Sequence, residues 1–305
     1  MKYFLKHITE FTWVTGIFLS LSALCMFVPD LLLPEHALWQ TITTILLTIG
    51  NAVVLMHLLY QVGVTRTRSY LPVFCYILLV GAIAQLHSQW EGQLVVLALQ
   101  AVILLLMRAY RSENAVHESF LGSLILCIAA LLMPDMLFLL PVLWIGLLLQ
   151  RAMNLRVFLA SLIGIGIFVL YVWISSLLFS DVFAVMSLKD AFLHTLPASE
   201  GIIPLLFIAL FAMVYGIISI IGFARENSRA QSLVLVLLIL LLLSVVMMFF
   251  PPQYFISLLP VAVYSVAALS AYCFCSKQSV TMGVIFILYL LFAIGIYVIS
   301  FLHLI

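Results

Sequence analysis

An all-α polytopic membrane protein of about eleven transmembrane helices, N-terminus in the cytoplasm and C-terminus outside, is the fold this sequence predicts. Three observations lead there. The 305 residues are 67% hydrophobic and only 8% charged, whereas a soluble domain carries roughly 25% charged residues. A membrane span needs about 20 apolar residues, and apolar runs of that order fill the chain. Of the 12 Lys and Arg residues, all but Lys189 fall in alternate gaps between those runs, the pattern of cytoplasmic loops.

The runs lie at 11–33, 38–63, 71–88, 92–109, 119–134, 136–150, 157–179, 201–223, 232–250, 254–274 and 280–302. The first follows Lys2 and Lys6 as a signal peptide would. No small-x-small cleavage site follows it, so a retained span is expected. Cytoplasmic gaps then hold Arg66/Arg68, Arg108/Arg111, Arg151/Arg156, Arg225/Arg229 and Lys277. External gaps hold Asp30, Glu35, Glu91, Asp135, Asp181, Asp190 and Glu200. A single transmembrane domain over 1–305 follows, with no separate soluble domain.

Two stretches need the charges to be parsed. Residues 119–150 are one apolar stretch broken at Pro134-Asp135. As a single kinked span it would put Arg108/Arg111 and Arg151/Arg156 on opposite faces; as a tight hairpin of two short helices it keeps them together. The same logic divides 232–274 at Pro251-Pro252. The two hairpins echo each other, Leu139-Leu140-Pro141-Val142 against Leu258-Leu259-Pro260-Val261. Proline in a helical first turn accounts for that echo, and a remnant of duplication would also produce it. In 180–200, Val182, Val185, Met186, Phe192, Leu193 and Leu196 recur mostly at helical steps. An amphipathic external helix at about 181–196, ended by Pro197, is the expectation.

Near-zero net charge excludes nucleic acid as a partner. The short basic gaps read as topology signal first and lipid-headgroup contact second. The five cysteines lack metal-ligand spacing and read as packing residues. No span carries a charge near its middle, which argues against an ion- or proton-coupled transporter. Asn51 and Gln100 are the main midplane polar groups. His57 stands alone in the inner half of a span, where a helix–helix hydrogen bond is expected. No zinc motif, phosphate-binding glycine loop or haem ligand pair is present, so no metal or cofactor is expected.

Chemistry is confined to the outer rim, where Asp30, Glu35, His36, His87, Glu91, Asp135, Lys189, His194 and Tyr254 fall. Carboxylates at the edge of a low-dielectric bundle can have raised pKa values and act as general bases. A lone lysine among them can hold a phosphate as a point charge. The plainer role for Asp30 and Asp135, each behind a proline, is capping a helix N-terminus.

Two resemblances go further. The order Arg66-Thr67-Arg68-Ser69-Tyr70-Leu71-Pro72, Ser119-Phe120-Leu121-Gly122-Ser123, Leu131-Leu132-Met133-Pro134-Asp135, Pro141-Val142-Leu143-Trp144 and Met153 through Gly164 resembles an uncharacterised family of multi-spanning inner-membrane proteins of Bacteroidota. Pro252-Gln253-Tyr254-Phe255-Ile256-Ser257-Leu258-Leu259-Pro260-Val261 resembles a late segment of polyprenol-phosphate-dependent C-type glycosyltransferases. Those enzymes have a long first external loop; here it is a few residues. The second resemblance implies a membrane-embedded protein of envelope glycan or lipid metabolism in a bacterial inner membrane. Asp30 would be its catalytic base, with Glu91 and Asp135 binding a metal or orienting the sugar. Lys189 would hold the donor phosphate, with His194 and Tyr254 beside the substrate. Membrane lipids and a polyprenyl-phosphate-linked sugar are the implied partners. The sparse polar interior and small loops suit instead a non-enzymatic accessory subunit of a membrane assembly or secretion complex, with a membrane-protein partner. A flippase would need a hydrophilic groove through the bundle.

Overall fold

The computed structural model describes residues 20–28, 38–64, 69–112, 114–178, 202–223, 227–249, 255–276 and 280–304. Among them there is no strand. After helical residues 20–24, ten more α-helices follow in order: α1 (Leu38–Gln61), α2 (Leu71–Ala82), α3 (Trp90–Arg108), α4 (Val116–Leu132), α5 (Leu140–Leu149), α6 (Leu155–Leu178), α7 (Ile202–Phe223), α8 (Ser228–Phe249), α9 (Phe255–Ser276) and α10 (Val280–Leu304). Five stretches are long and apolar enough to cross a membrane: Leu38–Gln61, Trp90–Arg108, Leu155–Ser175, Ser228–Met248 and Ser257–Cys275. Shorter apolar helices cover Leu71–Ala82, Val116–Leu132, Pro134–Leu149, Phe207–Ile221 and Gly283–Val298. Large apolar side chains such as Leu46, Leu148, Trp173, Met213, Leu242 and Leu291 stand exposed around the outside. In water such a belt would drive aggregation; hydrocarbon solvates it.

The core is built on α9. Its apolar window is 94% buried, against 22% for α6, and it packs against α2, α3, α7 and α8. All twelve residues of α2 are buried beside it. Ring contacts tie in α7 and α10: Phe274 meets Phe286 edge-on at 5.1 Å, and Phe211 meets Tyr289 at 5.3 Å. Tyr289 also donates to the carbonyl of Cys75 at 3.0 Å, pinning α10 to α2. Cys75, Cys127 and Cys273 are buried and in no disulfide, while Cys25 is exposed.

α6 is the outlying helix and packs chiefly on α4. The seam uses small residues, which let backbones approach where no hydrophobic driving force separates helix from lipid. Ser119 Oγ donates to the Val157 carbonyl at 2.8 Å, and Gly164 lies against Ser123 and the Phe120 carbonyl.

The stretch 119–150 is a hairpin. Met133 is extended (φ −139°, ψ 101°), Pro134–Leu139 form a 3-10 turn, and α5 returns along α4 with Leu143 against Gly122. The third run is shorter than 71–88. α2 ends at Ala82 because Ile83 is extended (φ −109°, ψ 97°), and a 3-10 turn, Ala84–Leu86, follows. At about 1.5 Å per residue, α2 alone reaches only about 18 Å. The break is sealed by His87, whose Nε2 lies 3.0 Å from the carbonyl of Gly81 while its ring stacks on Phe27 at 4.2 Å. The two echoing prolines differ: Pro141 sits in the first turn of α5, whereas Pro260 lies inside α9. The amphipathic segment 181–196 falls outside the described residues.

The ends of the bundle carry unlike charge. At one end the Arg111 amide donates to the Gln150 carbonyl at 3.0 Å, Arg229 Nη2 donates to the Met107 carbonyl at 3.0 Å, and Tyr110 and Ser228 share a hydroxyl bond of 2.5 Å. Arg108, Arg111, Arg151 and Arg229 therefore gather there, with Glu118 at the start of α4. Glu91 and Asp135 lie at the other end, beside the ring pair Trp39–Trp90 at 5.9 Å, an interfacial aromatic placement.

Candidate functional site

Glu91 and Asp135 come from different turns that both pack on α9. Glu91 is exposed in the first turn of α3, where a carboxylate favours the helix dipole. Its neighbour Gly92 is pressed against α9: a Cβ there would lie 2.5 Å from Pro260 Cγ and 3.6 Å from Met133 Cε. Asp135 is half-buried in the 3-10 turn after Met133 and accepts a hydrogen bond from Ser257, one turn before Pro260 on α9. The turns that carry the two carboxylates thus both pack on the start of α9. Asp135 lies in the first turn of that 3-10 helix, where a carboxylate suits the N-terminal dipole, and it also bonds the neighbouring helix.

Burial lifts the Asp135 carboxyl above its ordinary value of 3.8, and the Ser257 hydrogen bond partly opposes the shift. The folded state then holds a proton more readily than the unfolded chain. Stability from this group is complete below pH 3.8 and is lost as pH rises through the lifted value. Asp135→Asn should accordingly unfold at a higher temperature than wild type at pH 7, with the gap closing towards pH 3.8. Detergent-solubilised thermal melts at several pH values test it; a gap that does not change with pH would refute the linkage.

Beneath this rim lies a buried polar column. On α1, Thr41, Thr44, Thr48 and Asn51 are all buried, three or four residues apart and so on one face. On α3, Gln93 and Gln100 are seven apart and share a face. Asn51 joins them: its Nδ2 donates to the Gln93 carbonyl at 2.8 Å and to Gln93 Oε1 at 3.1 Å, while Gln100 Nε2 donates to the Asn51 carbonyl at 2.9 Å. Tyr76 of α2 donates to the same Gln93 Oε1 at 2.7 Å, and its ring lies 6.2 Å from that of Tyr264 on α9. Five atoms of this column have no hydrogen-bond partner: Thr48 Oγ1, Asn51 Oδ1, Gln93 Nε2, Gln100 Oε1 and Tyr264 OH. Buried without partners, each costs about 1–3 kcal/mol.

Asn51 and Gln100 were visible in the sequence as midplane polar groups; the threonine stripe, Gln93, Tyr76 and Tyr264 were not singled out. The spacing 41–44–48–51 carried the signal, since polar residues at helical period inside an apolar run mark one face. His57 is exposed, and its bond is to Gln61 of its own helix at 2.6 Å rather than to another helix. Asp30, Lys189, His194 and Tyr254 lie outside the described residues. Among the described residues no group of three or more His, Cys, Asp or Glu side chains could hold a metal.

These features define a helical-bundle membrane protein with a rim of two carboxylates over a neutral polar interior. No protein-family model matches the chain, and no curated protein or solved structure is significantly similar to it.

Proposed function

We propose that this chain is a multi-pass protein of a bacterial inner membrane acting in envelope glycan or lipid metabolism, related to lipid-linked-sugar glycosyltransferases. It has about eleven spans, with the Glu91/Asp135 end outside. The observation that supports this reading is that the turns carrying Glu91 and Asp135 both pack on the start of α9, through Gly92 against Pro260 and Asp135 against Ser257. Asp30 takes the proton of the acceptor hydroxyl, whose oxygen attacks the anomeric carbon. The bond from that carbon to the polyprenyl phosphate breaks, and the phosphate leaves against Lys189. Glu91 and Asp135 orient the sugar, with His194 and Tyr254 at its edge.

Native mass spectrometry of the protein in mild detergent tests it. Wild type should retain a polyprenyl-phosphate lipid, and Lys189→Ala should lose it while Glu91→Gln keeps the lipid and loses transfer to an added acceptor. Bulk phospholipid alone on wild type would overturn the reading. The outlying α6, left 22% buried in its apolar window, favours a second one: an accessory subunit that seats a partner's helices there. A protein partner in fixed ratio in the same spectra would select it.

A further inference from the structure

The basic end carries two arginines in a conformation that arginine does not favour. Arg111 and Arg151 both have φ +56°, the left-handed region. Only one other described residue has positive φ, Gly63 at +80°, and the comparison is informative. Gly63 follows α1 and closes its end, the Val64 amide donating to the Leu59 carbonyl at 3.0 Å. Arg151 follows α5 and does the same, the Ala152 amide donating to the Leu147 carbonyl at 3.0 Å. These are the six-to-one bonds of a Schellman end, where glycine is the unstrained residue. After α1 the chain uses glycine; after α3 and α5 it uses arginine and accepts the backbone strain, a sign of function when the side chain is not needed for folding.

The two strained arginines are also neighbours. Arg111 N donates to the carbonyl of Gln150, the residue before Arg151, at 3.0 Å. Both side chains are exposed, as is that of Arg108 one turn back. Arg229 arrives from α8, held by its Nη2 bond to the Met107 carbonyl, with its Nε buried and unpartnered. Three separate segments thus bring four arginines to one end of the bundle, through the Arg111–Gln150 backbone bond and the Arg229–Met107 bond, with the Arg111 guanidinium over the Tyr110 ring at 5.3 Å. The spot lies at the end of helices long enough to cross a membrane, level with lipid headgroups.

We propose that Arg108, Arg111, Arg151 and Arg229 form a binding site for the phosphodiester headgroup of an anionic phospholipid in the adjoining leaflet. Guanidinium forks match phosphate oxygens in pairs, and the two left-handed turns are backbone neighbours with exposed side chains. The site is independent of the rim carboxylates, which lie at the opposite end of the bundle.

The test is thermal unfolding of the full chain in detergent with added phosphatidylglycerol, phosphatidylcholine or inorganic phosphate. Wild type should be stabilised by phosphatidylglycerol alone. Arg111→Gly/Arg151→Gly should unfold, without lipid, at or above the wild-type temperature, because glycine relieves both turns. It should bind phosphatidylglycerol about 25-fold more weakly, about fivefold per arginine. Arg111→Lys/Arg151→Lys should keep most of the response. A full phosphatidylglycerol response in the glycine variant, or a lipid-free melting temperature well below wild type, overturns the proposal. Equal stabilisation by inorganic phosphate overturns the assignment to a lipid.

Discussion

Gly164→Val should release α6 from the bundle. A Cβ at this position would run into Ser123 Oγ and would lie 2.9 Å from the Phe120 carbonyl oxygen. The hydroxyl can turn away, but the carbonyl belongs to the backbone of α4 and cannot. The neighbours along the seam leave little slack, because Ser119 already bonds the Val157 carbonyl at 2.8 Å and Trp144 Nε1 bonds Ser161 Oγ at 3.0 Å. Forcing a branched side chain into a packed seam costs about 1–3 kcal/mol or more. Since α6 packs chiefly on α4, only its contact with Trp144 of α5 is left to hold it. Limited proteolysis in detergent should cut near Arg151–Arg156 in the variant and not in wild type. Gly166, with open space around it, is the control: Gly166→Val should leave the digest unchanged.

That seam also shows what the sequence could and could not reveal. Ala160-x-x-x-Gly164 and Ser119-x-x-x-Ser123 are small-residue pairs at helical spacing, so the capacity to pack closely was legible. Which helix would meet which was not, because nothing local in either segment names its partner. Hydropathy and charge located the helical segments well, from Trp90–Arg108 to Phe255–Ser276, since membrane solvation is read residue by residue. The early end of α2 was hidden for the opposite reason. Ile83 through Leu86 are as apolar as a helix would be, and the break depends on His87 reaching back to the Gly81 carbonyl. Asp135 sits in the first turn behind Pro134 as its sequence position suggests, but its bond to Ser257, 122 residues away in sequence, was not legible. Glu91 and Asp135 could be named as rim carboxylates; that the turns carrying them both pack on α9 is a property of the packing of α3 and of the hairpin on that helix.

Gln93→Leu should destabilise the core more than any other single change in the polar column, because one oxygen serves two donors. Gln93 Oε1 accepts from Tyr76 at 2.7 Å and from Asn51 Nδ2 at 3.1 Å. Leucine nearly matches the volume but removes the acceptor, leaving the Tyr76 hydroxyl without the acceptor it uses in a site closed to water. Asn51 keeps its second bond to the Gln93 backbone carbonyl at 2.8 Å, which the substitution does not touch, so the loss falls mainly on Tyr76. A stranded buried hydroxyl costs about 1–3 kcal/mol. Pairing in a membrane tempers this, since the unfolded reference also finds partners; a loss of about 2 kcal/mol is the expected result. Adding Tyr76→Phe should recover part of it, because the phenyl ring keeps the packing against Tyr264 at 6.2 Å and leaves nothing to satisfy. Thermal melts of wild type, the two single variants and the double variant complete the cycle. If the effects of Gln93→Leu and Tyr76→Phe simply add, the shared hydrogen bond is not what holds α2 to α3.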